Sequence, residues 1–190
     1  MPPKVQITKE MIIEAGFKIL REEGAEALNV RRIAAELKCS TQPVMYQFSN
    51  VEELKSEIYA AADKYHSGYI MDMDITKGDP MLSIGLRYIR FAAEERNLFR
   101  FLFQSEKFAG INFNDLIGNE GLAPIFSVIQ EEAGITAEQS REAFASLFLA
   151  VHGIASLLAN NSLKYDESYF EKILTNIFMG VIGMMKGGAI

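Results

Sequence analysis

The sequence has almost no cysteine, with a single Cys39 in 190 residues. One cysteine cannot form a disulfide within the chain, so the fold must be stable without that kind of cross-link. The first ten residues, MPPKVQITKE, also lack the apolar core of a signal peptide. Together these two features predict a cytoplasmic protein.

The sequence also lacks an excess of positive charge, since its formal net charge is -6. Many nucleic-acid-binding proteins are basic overall, so composition alone counts against DNA binding. The charge is uneven along the chain, however. Residues 1 to 47 carry seven lysines and arginines and six glutamates, and seven minus six is +1. The acidity therefore lies downstream of this segment.

No uninterrupted apolar run is long enough for a membrane span. The most apolar stretch, residues 143 to 159, is broken by Ser146, His152, Gly153 and Ser156. It falls short of the roughly 18 or more apolar residues that a spanning helix needs. With 49% hydrophobic residues, the chain has the composition of a folded protein, and this stretch is predicted to be a buried helix.

Residues 29 to 48, NVRRIAAELKCSTQPVMYQF, have the pattern of two short helices joined by a tight turn. Asn29 can cap the first helix, whose apolar positions recur at helical spacing. Ser40 can cap the second, and Pro43 is tolerated well only in a first helical turn. The second helix would bury Val44 and expose polar side chains suited to bases and phosphates. The pattern predicts a helix-turn-helix.

The rest of the chain is predicted to be helical as well. A helix capped by Thr8 should run to Glu23 and end at Gly24, and Ser49 and Asn50 should cap a fourth helix. Residues 97 to 105 should form a short buried helix capped by the asparagine at its start, and residues 110 to 121 a loop. Longer helices are predicted over residues 80 to 95, 123 to 133, 137 to 159 and 167 to 186. The predicted fold class is all-α, with about nine helices.

The last two predicted helices have wide apolar faces and small residues that would let another helix approach closely. Such helices can pair with the same two helices of a second copy through a two-fold interface. The alternative is that they complete the core of one protomer. The residues predicted for the dimer interface are Phe144, Phe148, Val151, Ile154, Ala155, Leu158, Ile173, Ile177, Phe178 and Val181.

The order of these elements resembles the TetR (tetracycline repressor) family of transcriptional regulators. The resemblance rests on residues 8 to 59: a capped helix, the helix-turn-helix, and a fourth helix that opens with FSNVEEL. Beyond residue 60 only the architecture is similar, although HGIASLLA resembles the penultimate helix of some members. The resemblance implies a homodimer, a DNA-binding domain over residues 1 to 50, and an effector-binding and dimerisation domain over residues 51 to 190. The helix of residues 51 to 66 would connect the two.

The same resemblance implies which side chains lie near DNA. Three features depart from the family pattern. Lys38 replaces the usual glycine of the turn and must accept an awkward backbone or a slightly different turn. Met45 occupies the place of a common aromatic, with Tyr46 following it, and Val51 replaces a frequent lysine that meets phosphate. Backbone N–H groups near the start of the fourth helix could replace that contact. The predicted DNA-binding residues are Arg31, Arg32, Lys38, Ser40, Thr41, Gln42, Tyr46, Gln47 and Asn50.

An apolar effector pocket would use the aromatic residues that a helical core also uses. The sequence does not separate the two roles, and for His152 a satisfied core position and a ligand or interface role both stay open. The residues predicted for the pocket are Tyr65, Tyr69, Phe91, Phe99, Phe103, Phe126, Phe148 and His152.

Catalytic and metal-binding patterns are missing from the sequence. It contains no glycine-rich phosphate loop, no His/Cys/Asp cluster at metal spacing, and only two histidines, His66 and His152. We therefore expect neither an enzyme nor a cofactor. The leading hypothesis is a repressor released from a palindromic DNA operator by a small, largely apolar effector. The alternative is a helical small-molecule-binding or protein-interaction module without sequence-specific DNA binding.

Overall fold

The computed structural model describes residues 6–72, 79–105, 112–118, 120–161 and 163–187. Across these ranges the regular structure consists of ten α-helices and short 3-10 turns, with no strand. This confirms the predicted all-α fold. The helices are α1 Lys9–Glu23, α2 Val30–Glu36, α3 Thr41–Met45, α4 Val51–Met71, α5 Pro80–Glu94, α6 Arg96–Phe103, α7 Phe113–Ile117, α8 Ala123–Ala133, α9 Ala137–Asn160 and α10 Glu167–Met185.

Side-chain caps and glycines set the ends of several helices where the sequence predicts them. Thr8, Asn29 and Thr136 each accept a hydrogen bond from the backbone N–H group three residues further on. Gly24 follows α1 with φ 91°, and Gly134 follows α8 with φ 62°. Positive φ angles are readily adopted by glycine, so both helices end where the residue type favours it.

One prediction of local structure differs from the structure. Asn97 does not cap α6, because α6 begins at Arg96 and Glu95 precedes it. The Asn97 side-chain amide instead donates to the backbone oxygen of Arg21, 3.0 Å away. The predicted loop of residues 110 to 121 contains the short α7, while residues 106 to 111 and 119 lie outside the described residues.

The chain divides into two compact units. Unit 1 consists of residues 1 to 68 and 95 to 105, and unit 2 of residues 69 to 94 and 106 to 190. Most of α4 and all of α6 therefore group with the helix-turn-helix. The first compact unit is larger than the DNA-binding domain predicted over residues 1 to 50, and the functional boundary between domains stays a prediction.

Unit 1 has a core of aliphatic side chains from α1 to α4, closed by aromatic and aliphatic residues of α6. A buried carboxylate adds a polar contact: the Nε atom of Arg21 donates to Glu95 at 2.8 Å, and the Tyr65 hydroxyl donates to the same carboxylate at 3.1 Å. This network ties the last turn of α1 to the residue before α6. The fully buried side chains of unit 1 include Ile12, Ile19, Leu20, Ile33, Val44, Leu54, Ile58, Leu98, Phe99 and Leu102.

Unit 2 is built mainly from α5, α9 and α10. Its aliphatic core centres on Ile89, Leu158 and Leu174. Among the described residues, one helix, Ala137–Asn160, is long and apolar enough to cross a membrane by length and composition. Its apolar side packs on α5 and α10 through this core, as a core helix of a helical bundle does.

Gly16 marks the closest approach of α1 and α4 in unit 1. A Cβ atom on Gly16 would lie 2.4 Å from the Cδ1 atom of Ile58, whose side chain is fully buried. Exchanging Gly16 for alanine should improve helix propensity by about 1 kcal/mol, but overpacking should cost about 1 to 3 kcal/mol. We expect Gly16→Ala to lower the free energy of unfolding, as measured by urea denaturation.

The matched control is Gly68→Ala, because nothing lies within 4 Å of a Cβ atom there. Only the helix-propensity gain applies at that position, so this variant should be slightly more stable than the parent. Equal stabilisation by both substitutions would show that α1 and α4 do not touch as described.

Burial in unit 1 lowers the pKa of His66 to about 4. The imidazole packs against the edge of Phe103, with ring centroids 5.0 Å apart. In an unfolded chain a histidine pKa is about 6.5, so between these two values the unfolded state binds a proton that the folded state does not. Stability should therefore fall as the pH drops through this window, by a total of about 3 kcal/mol.

Thermal denaturation across this pH range tests the assignment with His66→Phe, which keeps an aromatic ring and removes the titration. The variant should lose less stability than the parent between neutral and acidic pH. If the melting temperatures of parent and variant fell equally between neutral and acidic pH, a neutral, buried His66 would be contradicted.

Candidate nucleic-acid interface

The helix-turn-helix is held by apolar residues on the inner faces of α2 and α3. Ile33 and Val44 have no exposed surface, and Phe48 just after α3 is 5% exposed. In the turn between the helices, the Cys39 N–H group donates to the backbone oxygen of Ala34 at 2.9 Å. These contacts fix the position of α3 although it spans only five residues.

Lys38 takes the backbone conformation that its place in the turn requires. Its φ angle is 52°, and it has the only positive φ of a non-glycine residue in the described ranges. The predicted awkward backbone is thereby confirmed. A left-handed conformation costs an L-residue about 1 kcal/mol. The chain has this conformation at an exposed lysine in the turn beside α3.

The outer face of α3 is polar and exposed. Ser40, Thr41 and Gln42 are exposed, and Tyr46, at the end of the helix, has an exposed fraction of 76%. The Gln42 side-chain amide donates to the Tyr46 hydroxyl, with the two atoms 2.5 Å apart. No described side chain of the protein covers this pair. The second helix thus presents hydrogen-bonding groups to solvent, as predicted.

The two adjacent arginines of α2 have different surroundings. Arg32 forms ion pairs with Glu23 at 2.6 Å and Glu36 at 3.0 Å. Hydrogen bonds to Glu23 first, and then to Glu36, raise its pKa above the ordinary arginine value. Arg31 is exposed and, among the described residues, no carboxylate pairs with it or with Lys38. Arg32 therefore has a structural role in joining α2 to α1, and its predicted contact with DNA stays a prediction, whereas Arg31 is free of such pairs among the described residues.

Gln47 is held against the protein, and its predicted contact with DNA stays a prediction. Its side-chain amide donates to the backbone oxygen of Ile7 at 3.0 Å, and the residue is half-buried. Gln47 directly follows Tyr46, and its side chain points away from the outer face of α3 towards the segment before α1. Gln47 therefore anchors the end of α3 on the protein.

Asn50 is used in a cap at the start of α4. Its Oδ1 atom accepts from the Glu53 N–H group at 2.8 Å, and the Glu53 carboxylate accepts from the Ser49 N–H group at 2.7 Å. Both bonds satisfy backbone N–H groups around the start of α4, so the side-chain oxygen of Asn50 is engaged. Val51 beside it is 38% exposed and has no charge to offer a phosphate.

Lys9 contributes to this region although no pattern in the sequence indicates it. Its Nζ atom lies 2.6 Å from Glu57 and 3.6 Å from Glu53, and it sits 5.3 Å from the centre of the Phe48 ring. The side chain joins the start of α1 to α4 and to the end of the helix-turn-helix. Contacts between residues more than forty positions apart leave no local pattern, so sequence spacing could not reveal them.

The residues predicted to line an effector pocket divide between the two units. Tyr65, Phe99 and Phe103 belong to unit 1, where Phe99 is fully buried in the core. In unit 2, the Tyr69 hydroxyl donates to Glu94 at 2.8 Å and its ring meets Phe91, which has no exposed surface. Phe91 and Phe99 are therefore core residues of separate units.

The remaining predicted pocket residues form an aromatic column along α9 in unit 2. The rings of Phe144 and Phe148 stack 5.7 Å apart, and Phe148 stacks on His152 at 5.3 Å. Phe126 meets the edge of Phe144 at 5.3 Å, and the Tyr88 hydroxyl lies 2.9 Å from Nδ1 of His152. Burial lowers the pKa of His152, which favours the neutral form of its ring. The column therefore contains phenylalanine rings together with one hydroxyl group, from Tyr88, and one imidazole, from His152.

Unit 2 also has an open groove of about 690 Å³ between α7 and the first turns of α9. Apolar side chains of Phe113 and Ile117 meet charged side chains of Glu138, Arg141 and Glu142 there. None of the residues predicted for the effector pocket lines this groove. In the described ranges no group of three or more His, Cys, Asp or Glu side chains could hold a metal ion.

Three of the ten residues predicted for the dimer interface are buried in unit 2. Ala155 and Leu158 have no exposed surface and Phe144 is 8% exposed, so these three are core residues of the protomer and are unavailable to a second copy. The widest apolar stripe of a helix faces its own core, and the sequence pattern had selected that stripe. The other predicted residues are half-buried: Phe148, Val151, Ile154, Ile173, Ile177, Phe178 and Val181.

A different set of apolar side chains is exposed on α9 and α10. Leu149 and Leu157 on α9 are 59% and 55% exposed, and Met179 and Met184 on α10 are 69% and 58% exposed. A Cβ atom added at Gly153, Gly180 or Gly183 nearby would meet nothing within 4 Å. Sequence reasoning identified these glycines but missed the four side chains.

Comparison with solved structures identifies proteins of similar fold. No protein-family model and no curated protein sequence matches the chain. A member of the TetR family from Streptomyces coelicolor A3, SCO1917, matches with a TM-score of 0.58 and 17% identity over 89% of this chain and 96% of that chain. This chain has the TetR-family fold.

Two further structures match to a similar extent. The multidrug binding protein EbrR, complexed with imidazole, has a TM-score of 0.58 at 17% identity, and the match covers 89% of this chain and 88% of that one. Apo ActR from Streptomyces coelicolor has a TM-score of 0.55 at 16% identity, with 98% of this chain and all of that chain covered (100%). The TetR-family fold therefore extends well beyond residues 8 to 59, on which the sequence resemblance rested.

The different surroundings of Arg31 and Arg32 lead to opposite expectations for two alanine variants. Arg32→Ala removes both ion pairs to Glu23 and Glu36, so it should lower the melting temperature. Arg31→Ala breaks no ion pair with the described residues and should leave the melting temperature unchanged; if Arg31 makes the phosphate contact that the sequence predicts, affinity for duplex DNA should fall roughly tenfold. Circular dichroism melts and fluorescence anisotropy with duplex DNA measure the two effects. A destabilised Arg31→Ala would contradict the assignment.

Proposed function

We propose that this protein is a DNA-binding transcriptional regulator that acts in the cytoplasm as a homodimeric repressor. A small, largely apolar effector releases it from a palindromic operator. The proposal rests above all on one observation: the exposed face of α3 carries Thr41, Gln42 and Tyr46 beside two cations, Arg31 and Lys38, that no described carboxylate neutralises.

The distribution of these groups suits double-stranded DNA. Long cationic side chains reach phosphates and fix the position of a protein on the duplex, while polar side chains of the contacting helix reach base edges. The inner face of α3 is occupied by Val44, so the helix has a single face to present. An overall charge of -6 does not oppose such contact, because the cations beside α3 act locally.

A homodimer is supported by the exposed apolar side chains of α9 and α10. Leu149, Leu157, Met179 and Met184 are each more than half exposed, and burying them against the same surface of a second copy would remove them from water. The exposed glycines between them allow close helix approach. Two copies would place their α3 helices in successive major grooves, about 34 to 36 Å apart.

An apolar effector is supported by the aromatic column of Phe126, Phe144, Phe148 and His152. Ligand sites are mainly apolar with a few orienting polar groups, and the paired Tyr88 hydroxyl and His152 imidazole are of that kind. The fold neighbour EbrR is described as a multidrug binding protein and contains imidazole. To act as an inducer, the effector must bind the DNA-free conformation more tightly than the DNA-bound one.

The competing function is a helical small-molecule-binding or protein-interaction module without sequence-specific DNA binding. Val51 favours it, because this exposed residue offers an apolar side chain at the start of α4. Tyr46, as a large aromatic residue exposed beside α3, could equally serve a protein partner.

Selection from a random-sequence duplex library distinguishes the two functions. The parent protein should enrich a palindromic sequence, and its affinity for that duplex should fall as salt is added, because phosphate contacts release counterions. The double variant Gln42→Ala with Tyr46→Ala should lose the selected duplex and keep the size of the parent in size-exclusion chromatography.

Lys164→Ala is the matched control, since Lys164 is an exposed residue before α10 in unit 2. It should bind the selected duplex with parental affinity and salt dependence. Failure of the parent to enrich any sequence would refute the proposed regulator function. Specific binding by the double variant would refute the proposal that α3 is the helix that contacts DNA.

A further inference from the structure

We propose that Gln42 recognises an adenine base in each half-site of the operator and that Tyr46 positions the Gln42 carboxamide for this contact. The inference rests on the proposed function and specifies what α3 recognises. It is drawn from the hydrogen bond between these two side chains and from the groups that this bond leaves available.

Gln42 is the side chain on α3 best placed to reach the floor of a major groove. It is exposed in the first turn of the helix, on the face opposite the buried Val44. Ser40 and Thr41 are exposed too, but their hydroxyl groups lie much closer to the backbone. Gln47, the other glutamine of the segment, is held by the backbone oxygen of Ile7.

The hydrogen bond to Tyr46 limits what the Gln42 carboxamide can offer to a base. A glutamine amide has two N–H donors and one oxygen acceptor. The Tyr46 hydroxyl, four residues away on the same helical face, accepts one of the donors. One N–H donor and the oxygen acceptor remain directed to other partners.

One donor beside one acceptor matches adenine and no other base edge in the major groove. Adenine presents the N7 acceptor beside the N6 amino donor, so the free amide N–H and oxygen of Gln42 can both be satisfied. Guanine presents two acceptors, N7 and O6, and the amide oxygen would then face a second oxygen. Cytosine and thymine each provide a partner for only one of the two groups.

Tyr46 acts through Gln42 in this arrangement and is a positioning residue. Holding the carboxamide in one orientation reduces the rotational freedom that the glutamine must lose on binding. The Tyr46 hydroxyl hydrogen is not used in the bond that Gln42 donates, so it remains available to a phosphate oxygen. Its ring, exposed beside the helix, keeps water away from the same contact.

The experiment is selection from a random-sequence duplex library, followed by affinity measurements on duplexes that differ at one position of each half-site. The parent protein should require adenine at that position, with roughly 5- to 150-fold weaker binding to the other bases. Gln42→Ala should lose preference at this position alone. Gln42→Glu, which offers only acceptors, should change the preference to cytosine, whose N4 amino group is a donor.

Tyr46→Phe separates positioning from packing, because it keeps the ring and removes the hydroxyl. This variant should bind guanine at the same position better, relative to adenine, than the parent does, since both amide N–H donors of Gln42 become available. Gln130→Ala, a glutamine on α8 in unit 2, is the matched control and should keep the parental preference at every position. Because Gln42 and Tyr46 are exposed, circular dichroism should show all variants folded.

The outcomes separate this inference from the proposed function. If the parent selects a sequence but Gln42→Ala keeps its full preference at every position, adenine recognition by Gln42 is refuted and the regulator stands. If Gln42→Ala loses the adenine preference and Tyr46→Phe does not change it, the positioning role of Tyr46 is refuted. If the parent selects no sequence at all, the proposed function fails and this inference fails with it.

Discussion

The burial of Val44 and Phe48 in unit 1 is the interaction on which the candidate interface depends. A helix of five residues has too few internal hydrogen bonds to be stable by itself. Its position must come from the apolar side chains on one face, which have almost no exposed surface. Because those side chains fix how the helix is rotated, they also fix which polar side chains point to solvent. Thr41, Gln42 and Tyr46 are exposed for this reason.

The ion pairs of unit 1 explain how a protein of net negative charge can carry a cationic edge. Lys9, Lys18, Arg21 and Arg32 each pair with a glutamate, and these pairs join α1 to α2, α4 and the residue before α6. The pairs between exposed side chains contribute little to stability, whereas Arg21 pairs with the buried Glu95. These four cations are neutralised, while no described carboxylate pairs with Arg31 or Lys38 beside α3.

Most of the fold could be predicted because its signals are local. Helix caps, glycines with positive φ, and apolar spacing all act within a few residues, and the ends of α1, α2 and α9 follow from them. The roles of Arg32, Gln47 and Asn97 could not be predicted, because their partners are fixed by tertiary packing. For the apolar faces of α9 and α10 the sequence shows how much surface is apolar, but only the packed structure shows which part of it unit 2 uses for its own core.

The left-handed backbone of Lys38 places two requirements on one residue. Glycine would relax the turn but has no charge, and a residue with a branched side chain would strain it further. Asparagine would tolerate the backbone and would be neutral. Lysine retains the charge at the expense of local strain, so the amino acid that suits the backbone of this turn best is not the one that keeps a positive charge beside α3.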